Sequence, residues 1–151
     1  MYNLFQFLHV SAAIVWIGSG IGLMALMGAM SKAGDQATLM ATSRHIETMA
    51  PRVFGPAAMG TLIFGIATVL TGEGISFSDT WIVIGLVGVA ISLVIVALSN
   101  PVNKRIGPAI AEHGPEHGSV KSAQRQIRMY RTIDIVVLFV VVWAMVAKPG
   151  A

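Results

Sequence analysis

Four imidazole rings are the side chains here best suited to bind a metal or pass a proton: His9, His45, His113 and His117. Histidine titrates nearest neutral pH and is the commonest metal ligand. His9 stands apart because it lies within the apolar stretch LFQFLHVSAAIVWIGSG. Polar groups inside a membrane are costly and mark functional positions by default. Two readings follow for His9. As a neutral ring it hydrogen-bonds a neighbouring helix or reaches the outer headgroups. As a ligand it holds haem iron, for which imidazole is a usual axial donor. A second axial donor within the chain would have to sit at the depth of His9, and Met145 is the one thioether expected there. A second His9 across a dimer, or a five-coordinate iron, satisfies the same chemistry. Met145 also has a plainer reading, since an apolar chain with nine methionines uses most of them for packing or lipid contact.

The other titratable groups are weaker candidates. His113 and His117 stand four apart in EHGPEHG, flanked by Glu112 and Glu116. On a helix that spacing puts both rings on one face for a metal, but Gly114 and Pro115 favour a solvated loop. The order of residues is also not the HExxH of metalloproteases. His45 follows Arg44 and reads as a residue at headgroup level. Asp134 opens the apolar part of the last run, three residues after Arg131. An i, i+3 pair can form on one helix face, so Arg131 (or Arg128) is its expected partner in a structural ion pair. A proton-relay or anion-binding role is the alternative. No Lys, Arg or acid lies deeper in any span, which counts against an ion-coupled transporter with a charged midplane site and against a charged pore. The absence of cysteine excludes disulfides, thiolate metal sites and cysteine nucleophiles.

The elements that position these groups are read from composition. Of 151 residues, 55% are hydrophobic and 11% charged, against about 25% charged in soluble domains. Mean hydropathy is +0.75. Four apolar runs, about 4–30, 53–71, 81–99 and 130–147, approach or exceed the roughly 20 residues that cross a bilayer core of about 30 Å. The predicted fold class is therefore all-α: an integral membrane four-helix bundle forming a single domain over 1–151. The first run lacks a preceding Lys or Arg and is longer than a signal-peptide core, so it is expected to remain in the mature protein. The stretch between runs one and two carries Leu39, Met40, Ile46 and Met49 at helical spacing, as an interfacial helix or a helical extension would. Between runs three and four, Gly107–Pro108 and Gly114–Pro115 predict a loop, with helix resuming before run four.

Basic residues concentrate in the first connection (Lys32, Arg44, Arg52) and the third (Lys104, Arg105, Lys121, Arg125, Arg128). By the positive-inside rule both connections face the cytoplasm and both termini face outward. The net charge of +3 thus reports orientation and does not suggest nucleic acid. Depth follows from this topology. His9 lies about 7 Å into its span from the outer side, while the other three histidines fall on the cytoplasmic side. Trp16 is too deep for an interfacial belt, whereas Trp81 and Trp143 fit the outer one. Gly18 and Gly22 form a GxxxG pair, and Gly55, Gly60, Gly65, Gly85 and Gly88 add small residues to later spans. Such residues let helices approach closely, or leave room for a flat cofactor.

At FLHVSAAIVWIGSGIGLMAL the chain resembles a small bacterial family of predicted four-helix integral membrane proteins of unknown function. That family is distantly similar to the CopD-type copper-resistance membrane domain and to HemJ-type protoporphyrinogen oxidases. The resemblance rests on His9, Trp16 and Gly18 and covers about the first 20 residues. It implies a helical bundle in the bacterial inner membrane and, for some members, haem b bound through the first-helix histidine, the position His9 occupies. HemJ-type enzymes also carry a functional Lys in a later span, and none lies within spans two to four here. CopD-type domains carry further membrane histidines, also missing here. The expected function is haem-linked redox or haem handling through His9. The alternative is a non-catalytic membrane subunit or assembly partner, either homodimeric or joined to other membrane subunits in the lipid bilayer.

Overall fold

A computed structural model describes residues 1–33, 36–114 and 116–150, with backbone alone at 31, 33, 36–44, 46–48, 50 and 51. The described residues form four helices: α1 (Tyr2–Ala33), α2 (Gln36–Thr71), α3 (Thr80–His113) and α4 (Gly118–Ala147). Each is long and apolar enough to cross a membrane. In lipid no water is available to satisfy backbone N–H and C=O groups, so an apolar run of this length closes its hydrogen bonds within itself as a helix. The expected all-α membrane fold with four spanning helices is what is observed, and the described residues contain no strand.

The chain forms two compact units, Met1–Ser76 and Phe77–Ala151, each a helical hairpin. In the first, Tyr2 meets Gly72, His9 meets Gly65, Ala12 meets Gly60 and Gly20 meets Phe54. Rising numbers in α1 against falling numbers in α2 make the pair antiparallel. In the second, Gly85 meets Met145, Gly88 meets Val141 and Ser92 meets Asp134, again antiparallel. Trp16, Ala57, Thr61 and Val69 are buried in the first hairpin, and Trp81, Ile82, Ser92, Val120, Ile127, Leu138 and Ala144 in the second. Large apolar side chains elsewhere lie open, Phe7 at 66%, Ile14 at 66% and Leu70 at 70%. So much exposed apolar surface suits a lipid solvent and not water.

The helices of 32, 36, 34 and 30 residues are about 45–54 Å long at 1.5 Å per residue, longer than the membrane core. The excess sits in the first and third connections. The first is an extension of α2. The side chains of Leu39, Met40 and Ile46 lie outside the described residues, and Met49 is exposed. The third corrects an expectation: Gly107–Pro108 does not break the chain, because α3 runs on to His113 with Pro101 and Pro108 inside it. A helical proline removes one N–H and crowds the carbonyl four residues back. Both prolines are exposed, so the freed carbonyls can find other donors. Gly114 does end α3, at φ +82°, where its N–H still donates to Ile110 O at 2.9 Å. Pro115 lies outside the described residues.

Candidate functional site

The first hairpin builds a niche around His9. Its Nδ1 lies 2.7 Å from the backbone carbonyl oxygen of Thr61 on α2. A carbonyl only accepts, so this bond requires the proton on Nδ1 and, in the neutral form of the ring, leaves the lone pair on Nε2. By α-helical pairing that carbonyl also accepts the N–H of Gly65, and its second lone pair serves the imidazole. Gly65 is what lets the ring come so near. A methyl group there would stand 2.9 Å from His9 Nδ1 and 3.0 Å from Cε1. The Thr61 hydroxyl does not touch the ring: it is buried and donates to Ala57 O at 2.8 Å. Among the described residues Nε2 has no hydrogen-bond partner, and it is not sealed from the surface. A fixed tautomer with Nδ1–H on a carbonyl and Nε2 open is the arrangement that orients a histidine toward a metal.

The second hairpin holds a polar pair of its own. Ser92 Oγ donates to Asp134 Oδ1 at 2.5 Å. Ser92 is completely buried, and Asp134 is partly so. Ser92 follows Trp81 by 11 residues of α3, about 16 Å, which sets this contact near the middle of a 30 Å core. The carboxyl expected at the start of the span is therefore deeper than its place in the sequence implied. Its hydrogen bond comes from Ser92 and not from Arg131 or Arg128. Elsewhere in this hairpin Lys121 pairs with Glu116 at 2.6 Å, and His113 Nδ1 lies 3.7 Å from Glu112.

Residues 3–149 match the model of a family described as predicted integral membrane protein (DUF2269). The chain belongs to this family. The match extends well beyond the first 20 residues that carried the resemblance. No curated protein and no solved structure matches the chain.

The remaining candidates of this DUF2269 chain are placed as follows. Trp16 is buried in the first hairpin, seven residues and about two turns from His9, so it shares that face of α1. Gly18 is exposed, and nothing lies within 4 Å of where its Cβ would be; the same holds for Gly22 at that distance. The α1–α2 approach instead uses Gly60, where a methyl would meet Ala12 Cβ at 3.4 Å, and Gly65. Met145 belongs to the second hairpin, where its methyl fills the space left by Gly85. Trp81 is buried and carries Lys148 Nζ 5.3 Å from its ring centroid, while Trp143 is exposed. His113 ends α3 and His117 caps α4, accepting from Ser119 N at 3.4 Å; the two rings stand 4.6 Å apart. Among the described residues no group of three or more His, Asp or Glu is placed to hold a metal ion. His45 lies exposed on α2.

Proposed function

We propose that this membrane protein holds haem b through His9 and serves in redox chemistry or haem handling in the bacterial plasma membrane. The observation that carries this reading is the 2.7 Å contact from His9 Nδ1 to the Thr61 carbonyl. It turns a polar ring in a spanning helix into an oriented Nε2 donor, its other nitrogen fixed by a backbone acceptor. The donor set fits the group: an imidazole whose Nδ1 is held by the Thr61 carbonyl, and a glycine under the ring. Haem, when bound, supplies one-electron chemistry. The chain's own share is to hold the ring in one orientation on the Thr61 carbonyl, over Gly65.

An absorption spectrum of the detergent-purified protein, expressed with ample haem, tests the reading. A Soret band that His9→Ala abolishes and Thr61→Val leaves in place is the expected result, because the acceptor is the Thr61 main chain. No band in the unmodified protein, or a band indifferent to His9→Ala, overturns it. A second reading, a non-catalytic subunit or assembly partner, is favoured by Gly18 and Gly22 of α1, whose Cβ positions have nothing within 4 Å among the described residues and would admit another helix. Co-purification of a stoichiometric partner without cofactor would select it.

A further inference from the structure

Beyond the apolar runs, α3 and α4 enclose a groove of about 300 Å³ lined by Val102, Arg105, Ala109, Ser119, Ser122 and Gln126. The small residues Ala109, Ser119 and Ser122 leave the space, and Arg105 is the one cation on its wall. Arg105 is exposed and has no ion-pair partner among the described residues. Glu116 on the following turn is already paired, with Lys121 at 2.6 Å. Lys104, Arg125 and Arg128 add positive charge on the same two helix segments.

Depth decides between a soluble anion and a lipid. Val102 and Arg105 follow Ser99, the end of the apolar run, by three and six residues, about 5 and 9 Å along the helix. The headgroup layer reaches about 5–8 Å beyond the hydrocarbon core. An arginine stem at that level bends its guanidinium back toward the interface. Hydroxyl and amide groups from Ser119, Ser122 and Gln126 supply neutral hydrogen bonds beside the charge. We propose that this groove binds the phosphate headgroup of an anionic phospholipid, with Arg105 as the charged contact and the small side chains of α4 making room for it.

The test uses the full chain in detergent, offered equal amounts of phosphatidylglycerol and phosphatidylcholine and read by native mass spectrometry. The unmodified protein is expected to retain phosphatidylglycerol selectively. Arg105→Gln lowers the retained fraction about fivefold, the contribution of one basic side chain near an anionic surface. Ser122→Leu fills the groove without altering charge and also lowers retention, while Lys148→Gln, at the opposite end of α4, leaves it unchanged. Equal retention of both lipids by the unmodified protein overturns the proposal, and this arm needs no variant to fold. Wild-type retention by both Arg105→Gln and Ser122→Leu overturns it as well. Displacement of the lipid by millimolar inorganic phosphate would assign the groove to a soluble anion and overturn it too.

Discussion

Replacing Gly65 with alanine tests the His9 niche most directly. The new methyl would lie 2.9 Å from His9 Nδ1 and 3.0 Å from Cε1, inside the roughly 3.5–4.0 Å at which carbon atoms rest against one another. The ring is backed by α1 and must retreat by about half an ångström or more to relieve the overlap. The Nδ1 to Thr61 O distance, 2.7 Å now, then passes the roughly 3.2 Å limit of a good hydrogen bond. Losing that bond costs about 0.5–1.5 kcal/mol, and overpacking adds about 1–3 kcal/mol. The better helix propensity of alanine offsets up to about 1 kcal/mol. The net is a destabilisation of about 0.5–4.5 kcal/mol. Gly18→Ala is the control, since a methyl there meets nothing within 4 Å and gains propensity alone. Thermal unfolding in detergent, followed by the helical circular dichroism signal, compares the two. Adding His9→Ala to Gly65→Ala removes the clash, so the double variant is expected to lose less than the sum of the singles. Gly65→Ala melting at or above Gly18→Ala would refute the placement of the ring on α2.

Two further outcomes concern the second hairpin. Ser92→Ala and Asp134→Ala are each expected to destabilise it, with a double-mutant coupling of about 0.6–1.7 kcal/mol, the range of hydrogen bonds between membrane helices; additive effects in the same unfolding assay would deny the contact. Gly88→Ala is expected to destabilise by about 1–3 kcal/mol through overlap with Val141 Cγ2. Val141→Ala should restore most of that loss in the double variant, and no rescue would place α4 differently against α3.

The apolar runs made the four helices legible because hydropathy is a local property, added residue by residue over a window. His9 was legible for the same reason, as a polar ring in an apolar window. The extent of α3 was not. Gly107–Pro108 is a strong local break signal, yet both prolines of α3 are exposed, where a helical proline crowds no neighbouring element. Ser92 carried a signal that a reading centred on charged residues passes over. It is the only polar side chain in WIVIGLVGVAISLVIVAL, residues 81–98, and so marks the level at which the opposite helix must bring a polar partner.

The sequence by itself determined the solvent, the number of spans and the presence of one imidazole and one carboxyl among apolar neighbours. Tertiary structure decided the partners: Thr61 and Gly65 for His9, Ser92 for Asp134, and which glycines lie under a neighbouring side chain. The physical reason is that solvation belongs to single residues, whereas a hydrogen bond or a close approach belongs to a pair. Pairing depends on the rotation and register of two antiparallel helices, and a change of one residue in either turns each face by about 100°. Gly18 and Gly22 had the spacing of a packing motif, yet among the described residues nothing lies within 4 Å of their Cβ positions, while Gly65, outside any GxxxG pair, lies beneath the histidine.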